Sequence, residues 1–183
     1  MKLLIPVDGS DLSMRAVAHA VQLAVAGLRT ELVLVNVQEP ASVYELVTLH
    51  DADALAQVAD AAGRDTLAPA AKLAQAAHVP HTEVVVTGDV VAMLLEVLEA
   101  EGCQAVVMGS HGQGRVRSAW LGSVSQAMLE RAPVPVTFVK PVDADADPAT
   151  SEGIFVYVGS TPPAVAVAGN LPGCGSESGT GGS

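Results

Sequence analysis

Aromatic side chains and cations are both scarce in this sequence. Aromatic residues make up 3% of the 183 residues, whereas hydrophobic residues make up 50%, most of them Ala, Val and Leu. This composition favours packed layers of helices and strands over an aromatic-rich β-sandwich. The chain has 9 Lys and Arg against 20 Asp and Glu, a net charge of −11. Because such a chain repels a phosphate backbone, we expect no binding of nucleic acid, although local N–H groups can still hold a small anion such as a nucleotide.

Cysteine clusters and long apolar runs are also missing. The two cysteines, Cys103 and Cys174, stand far apart and form no metal-binding or redox motif, which favours a reducing compartment. No apolar run reaches the roughly 18 to 20 residues that a membrane-spanning helix needs. The first residues meet the acid Asp8 too early for a secretory signal peptide. The sequence therefore predicts a cytoplasmic protein that does not bind a membrane.

The composition changes near Lys140. Residues 141–183 contain five acidic residues and no Lys or Arg, and they are rich in Gly, Pro, Ser and Thr. Such a segment buries too little apolar surface to offset the loss of chain entropy. We therefore predict one domain over residues 1–140 and a flexible acidic tail over residues 141–183. Within the tail, only residues 154–158 have the composition of a short strand.

Short β-branched runs alternate with longer Ala- and Leu-rich stretches through the first 140 residues. The predicted strands cover residues 3–7, 31–37, 82–87, 105–108 and 134–139. Strands that are apolar on both faces and alternate with helices indicate a parallel sheet covered on both sides. The predicted fold class is α/β, a three-layer α/β/α sandwich with a five-stranded, mainly parallel sheet. We also predict a break or kink at Pro69 in the long second helix.

The segment after the fourth predicted strand has a pattern suited to phosphate. In sheets of this kind, ligands bind beyond the carboxyl ends of the strands. Here Gly109, Gly112 and the pair Gly122-Ser123 have the spacing G-x2-G-x9-G-S. Gly112 and Gly114 permit a positive φ that would direct successive N–H groups at one anion, and a helix that begins at Gly122-Ser123 would add its own N–H groups and dipole. Any one of these glycines alone indicates only a tight turn, but the full spacing favours a phosphate site. It matches neither a Walker A motif nor a Rossmann fingerprint.

Several further segments accompany this pattern in a specific order. They are Ile5-Pro6-Val7-Asp8-Gly9-Ser10, Val35-Asn36-Val37, Gly88-Asp89, Met108-Gly109-Ser110-His111-Gly112, Leu121-Gly122-Ser123-Val124 and Ala132-Pro133-Val134-Pro135-Val136. Together they resemble the ATP-binding, UspA-like group of the universal stress protein family over residues 1–140. The resemblance implies the Rossmann-like fold of the adenine nucleotide alpha hydrolases. It also implies a cytoplasmic stress-response protein that binds ATP, often with a divalent metal such as Mg²⁺ on the phosphates, and that forms a homodimer through the last strand, Val134 to Val139.

The resemblance also implies a role for each matching residue. Pro6 and Val7 resemble the backbone that lines the adenine site, Val37 resembles the residue whose main chain pairs with the adenine edge, and Asp8 resembles the acid that meets the ribose. Met108 and Gly109 resemble the floor under the sugar. The residues that resemble the phosphate-cradling backbone are Gly112, Gly122, Ser123 and Val124, with Ser125 as a further candidate.

Simpler interpretations stay open at several of these positions. Asp8 can cap the following helix instead of meeting a ribose. A histidine between glycines, such as His111, is more often solvated than a metal ligand or a base, and we expect that here. Arg115 and Arg117 either approach the phosphates or are exposed charges, and we expect Trp120 to pack on the loop or at an interface.

The sequence favours binding over catalysis. The P-loop lysine is missing, and the sequence contains no nucleophile elbow and no carboxylate pair placed by a motif. We therefore assign no catalytic residue and no metal ligand. A nucleotide-free dimerisation module, and a weak ATP hydrolase or autophosphorylating protein, stay open as alternatives.

Overall fold

Strands and helices alternate along the chain. The computed structural model describes residues 1–40, 52–112, 121–140 and 155–157. Its elements in chain order are β1 (Lys2–Pro6), α1 (Asp11–Val25), β2 (Glu31–Gln38), α2 (Ala52–Ala76), β3 (His81–Thr87), α3 (Val90–Ala100), β4 (Ala105–Gly109), α4 (Ser123–Arg131), β5 (Val136–Val139) and β6 (Phe155–Tyr157).

The strands form one sheet in the order β3-β2-β1-β4-β5-β6. The first five of these strands in the chain are parallel, which confirms the predicted α/β fold. From β1, the chain adds β2 and β3 on one side of the sheet and then returns to add β4 on the other side of β1. The carboxyl ends of β1 and β4 therefore meet at a topological switch point, where open parallel sheets bind their ligands.

Each face of the sheet is covered by a pair of helices. Alternate residues along β2 point to opposite faces, so Leu32 and Leu34 pack towards α1 and α2, whereas Val33 and Val35 pack towards α3 and α4. This two-sided burial explains why β2 has a continuous apolar run instead of an alternating pattern.

Of the predicted break or kink at Pro69, the break is wrong, because helix α2 runs continuously from Ala52 to Ala76. Leu67 and Ala70, on either side of the proline, are both fully buried against the sheet. That packing stabilises the helix at the position where proline cannot donate a hydrogen bond. In the part of the chain that the structure describes, no helix is long and apolar enough to cross a membrane.

A short strand from the predicted tail lies at the outer edge of the sheet. The backbone of β6 pairs with β5 in antiparallel orientation, with Val136 opposite Tyr157 and Phe138 opposite Phe155. This pairing agrees with the short strand predicted at residues 154–158. It also places β6 on the edge of β5 at which the sequence analysis expects a second copy of the chain.

We expect the thiol of Cys103 to be unreactive in the folded protein. Its side chain is 5% exposed. Burial, with a smaller contribution from the Glu101 carboxylate, raises the pKa of the thiol to about 11. At about pH 8, only about one thiol in a thousand would then be the nucleophilic thiolate. In a Cys174→Ser background, a thiol-specific disulfide reagent should react slowly with the native protein and rapidly in denaturant. Equal rates in the two states would contradict the burial of this thiol.

Candidate functional site

A cavity of about 360 Å³ opens at the carboxyl ends of β1 and β4. Its volume lies within the range of about 300 to 1,000 Å³ that is typical of small-molecule sites. The cavity is bounded by the ends of β1, β2 and β4 and by the first turns of α1, α3 and α4. It therefore occupies the switch point of the sheet.

Pro6 separates β1 from β4 at this point. The pairing between the two strands ends at Leu4 opposite Val106, whereas β1 continues to pair with β2 as far as Pro6 opposite Val35. The backbone of Pro6 faces β4, because that of the next residue, Val7, faces β2. The next ladder bond to β4 would need an N–H on Pro6, which proline lacks. The two strands therefore part where the cavity begins.

Every residue that the sequence analysis assigned to the nucleotide site lines this one cavity. These residues are Pro6, Val7, Asp8, Val37, Met108, Gly109, Gly112, Gly122, Ser123, Val124 and Ser125. They come from four separate segments of the sequence, which only the folded sheet brings together.

Six further residues line the cavity and were not predicted to do so. They are Ser13, Val35, Asn36, Val90, Leu94 and His111. His111 is half-buried and lines the cavity, and its Nδ1 lies 3.1 Å from the Ser110 hydroxyl. Asn36 had a signal in the sequence, since it is a polar residue inside an apolar strand, whereas Val90 and Leu94 resemble ordinary core positions. Arg115, Arg117 and Trp120 lie outside the described residues.

The carboxylate of Asp8 is held at the mouth of the cavity by the turn that follows β1. Its Oδ1 accepts hydrogen bonds from the Ser10 N–H at 3.0 Å and from the Ser10 hydroxyl at 2.6 Å. Burial alone would raise the pKa of Asp8, but the hydrogen bonds from Ser10 and Ser13 outweigh it and lower the pKa below its usual 3.8. The residue that caps α1 is Ser10 and not Asp8. Asp8 instead holds the capping residue in place through its hydrogen bonds with Ser10.

Gly112 lies very close to the Asp8 carboxylate. A Cβ atom on Gly112 would lie 2.8 Å from Oδ2 of Asp8, closer than real Cβ atoms come. Contrary to the prediction, Gly112 does not have a positive φ. A side chain at this position would therefore displace the Asp8 carboxylate, and glycine lets the segment after β4 lie directly against the end of β1.

The first turn of α4 faces the cavity with its backbone N–H groups. Gly122 is the N-cap residue of this helix and has no side chain to satisfy those N–H groups, which favour an anion. The Ser125 hydroxyl donates to the Gly109 carbonyl at 3.1 Å and is 2% exposed, so it ties α4 to the end of β4. This turn therefore offers main-chain N–H groups and the hydroxyl of the exposed Ser123 as donors towards the cavity.

The main chain of Val37 faces the same cavity from the other side. The Val7 N–H donates to the Val35 carbonyl at 2.8 Å, whereas the Gly88 N–H donates to the Gln38 carbonyl at 3.0 Å. Odd-numbered residues at this end of β2 thus direct their backbone groups towards β1, and even-numbered residues towards β3. The N–H and carbonyl of Val37 therefore point to the β1 side beyond the end of that strand, where the cavity lies.

The comparison with known sequences identifies one family. The family model of the universal stress protein family matches residues 1–140. Universal stress protein MJ0531 of Methanocaldococcus jannaschii is 28% identical over 140 residues, which cover 76% of this chain and 81% of that protein. Universal stress protein Rv2005c of Mycobacterium tuberculosis is 35% identical over 133 residues, which cover 73% of this chain but only 43% of that protein. The chain thus spans less than half the length of the mycobacterial relative.

Solved structures of similar fold confirm the architecture. The protein MJ0577 superposes with a TM-score of 0.67 at 23% identity, covering 78% of this chain and 97% of its own. A universal stress protein in complex with cAMP has a TM-score of 0.55 at 25% identity, covering 76% of this chain and 96% of its own. A family member from Arabidopsis thaliana with AMP bound has a TM-score of 0.56 at 18% identity, covering 79% of this chain and 97% of its own.

We expect Asp8 to contribute to stability in a pH-dependent way. Because its pKa is lower in the folded than in the unfolded chain, the contribution is complete above the unfolded pKa of about 4 and is lost as the pH falls through the folded pKa. The Asp8→Asn variant should be less stable near neutral pH, and its free energy of unfolding should fall less steeply below about pH 4. Denaturant unfolding over a pH series measures both effects. Asp11→Asn, which alters an exposed acid of α1, is the control, and identical pH profiles for the two variants would contradict the role of the Ser10 hydrogen bonds.

Proposed function

The chain belongs to the universal stress protein family, and from this premise we propose that it binds an adenine nucleotide, ATP, in the cavity between β1 and β4. One observation carries the proposal. An apolar wall, an ionised carboxylate and a helix N-terminus meet in a single cavity at the switch point of the sheet. Those three chemistries match a base, a sugar and a phosphate chain. Relatives with cAMP and with AMP bound share this fold.

The base and the sugar would occupy the end of the cavity near β2. Val90, Leu94 and Met108 provide apolar surface on which a planar base can pack. The main chain of Val37 provides one donor and one acceptor for the edge of the base. The Asp8 carboxylate, which its hydrogen bonds keep ionised, would accept hydrogen bonds from the ribose hydroxyls.

The phosphates would lie between Gly112 and the first turn of α4. Backbone N–H groups and the helix dipole act over a short range, so they can hold an anion on a chain whose net charge is −11. In the described part of the chain, no group of three His, Cys, Asp or Glu side chains could hold a metal. An accompanying Mg²⁺ would therefore be held mainly through the phosphate oxygens, as is usual for this ion.

We propose a regulatory role in the cytoplasmic stress response, in which nucleotide binding orders the segment 109–122 and changes what the protein contacts. Binding fits the site better than catalysis, because its donors are mainly main-chain groups and no lysine lines the described part of the cavity. The position of His111 beside the cavity favours weak ATP hydrolysis as the second candidate.

Native mass spectrometry and calorimetry test the proposed ligand directly. We expect purified protein to carry or bind ATP, and calorimetric titrations with ATP, AMP and cAMP in the presence of Mg²⁺ to rank the three ligands. The absence of heat with every ligand would favour a nucleotide-free dimerisation module. Steady release of ADP would support the hydrolase. Equal hydrogen exchange in segment 109–122 with and without ATP would contradict the ordering.

Substitution of Gly122 tests where the phosphates bind. A Cβ atom at Gly122 would lie no closer than 3.5 Å to its nearest neighbour, so the fold should tolerate a side chain there. The Gly122→Val variant should unfold at nearly the same temperature as the wild type but bind ATP at least about tenfold more weakly, because its side chain occupies the path of the phosphates to the N–H groups. Adenosine is the control ligand and should lose little affinity, and Gly122→Ala should be intermediate. If ATP affinity survives Gly122→Val, the phosphates bind elsewhere.

We further propose that a homodimer forms through β5 when β6 leaves its edge. In the single chain β6 pairs with β5, so a second copy would have to displace or exchange it. A chain that ends at Lys140 would leave the edge of β5 open to another strand. Light scattering after gel filtration should therefore show a larger dimer fraction for residues 1–140 than for the full chain. A monomer in both cases would rule out this mode of pairing.

A further inference from the structure

The hydrogen-bond ladder between β1 and β2 ends in an unusual way at the cavity. The Val7 N–H still donates to the Val35 carbonyl at 2.8 Å. In a parallel ladder the next bond would run from the Val37 N–H to the Val7 carbonyl. The regular pairing instead stops at Pro6 opposite Val35. The Val7 carbonyl accepts from the Nδ2 of the Asn36 side chain at 2.7 Å.

The Asn36 side chain is fixed in the orientation that this bond requires. It is 4% exposed, and its Oδ1 accepts from the Gln38 Nε2 at 2.6 Å. A buried amide is costly unless both of its ends are hydrogen-bonded, and here Gln38 satisfies the oxygen while Val7 satisfies the nitrogen. The two partners together explain why a polar residue stands in the middle of a buried strand.

We infer that Asn36 is a positioning residue that leaves the Val37 N–H facing the cavity. The Asn36 amide takes the place on the Val7 carbonyl that the Val37 N–H would have in a regular parallel ladder. The Val37 N–H then faces the cavity, where an acceptor nitrogen on the edge of a heteroaromatic base can accept from it. The second part of this inference rests on the proposed function.

The arrangement has a consequence for the choice of base. Adenine presents a ring acceptor nitrogen beside an amino donor, which matches the N–H and carbonyl of Val37. Hypoxanthine presents a ring N–H beside a carbonyl oxygen, so both groups are reversed. The site should therefore prefer ATP to ITP, and Asn36 should support that preference although its side chain does not make the contact.

Hydrogen exchange in the ligand-free protein tests the diverted bond. In the wild type, the Val37 amide should exchange at least about tenfold faster than the Val35 amide. In Asn36→Leu, which removes the donor, the Val7 carbonyl should recruit the Val37 N–H, and exchange of this one amide should become slower. A general loss of stability would make exchange faster throughout the sheet. Slow exchange of Val37 in the wild type, or a Val37 exchange rate that does not fall relative to that of Val35 in the variant, overturns the inference.

Nucleotide affinity tests the use of the exposed N–H. Because one neutral hydrogen bond is lost, Asn36→Leu should weaken ATP binding by about three- to tenfold and should weaken ITP binding less. The control is Val33→Ala, a core truncation in the same strand that leaves Asn36 in place and should preserve the ratio of ATP to ITP affinity. An unchanged ratio in Asn36→Leu overturns the role in base choice.

The two experiments distinguish a failure of the proposed function from a failure of the inference about Asn36. If the wild type binds no nucleotide, the proposed function fails, while hydrogen exchange still decides whether Asn36 diverts the Val7 carbonyl. If Asn36→Leu does not fold, the exchange rates of Val35 and Val37 in the wild type decide the question alone.

Discussion

The site depends on the early end of strand β1, which stops pairing with β2 and β4 while both of those strands continue. On one side, Pro6 cannot donate to β4, so that pairing stops at Leu4 opposite Val106. On the other side, the Asn36 side chain takes the Val7 carbonyl and the pairing with β2 stops at Pro6. Because β2 and β4 continue further, the space that β1 vacates becomes the cavity. The alternation of backbone groups along β2 directs the main chain of Val37 into it.

The chemistry around this space is local, which reconciles the proposed anion site with an acidic chain. The Asp8 carboxylate, held by Ser10 and Ser13, would meet the sugar, whereas the first turn of α4 would meet the phosphates. Gly112 lets these two regions touch, since any side chain there would collide with Asp8. A charge of −11 spread over the whole chain therefore does not decide what binds between Asp8 and α4.

The outer edge of the sheet is the place where this chain differs most from the expectation that its resemblance raised. A bare strand edge invites pairing with another chain. Here β6, from residues beyond the matched family domain, provides that pairing within the same chain. In the proposed dimer, pairing at β5 would therefore depend on β6, which occupies that edge within the chain.

The local pattern of residues was enough to predict the order of strands and helices, the parallel sheet and the Gly-rich segment after β4. Those features follow from short-range properties, such as two-sided burial along β2 and the spacing from Gly109 to Gly122. Only the tertiary structure decided that Gly112 serves a close approach and has no positive φ, that His111 lines the cavity, and that Ser125 bonds to Gly109. Each of these features depends on atoms from distant segments of the chain. The sequence around a glycine, a histidine or a serine does not reveal which distant residues it will contact in the fold.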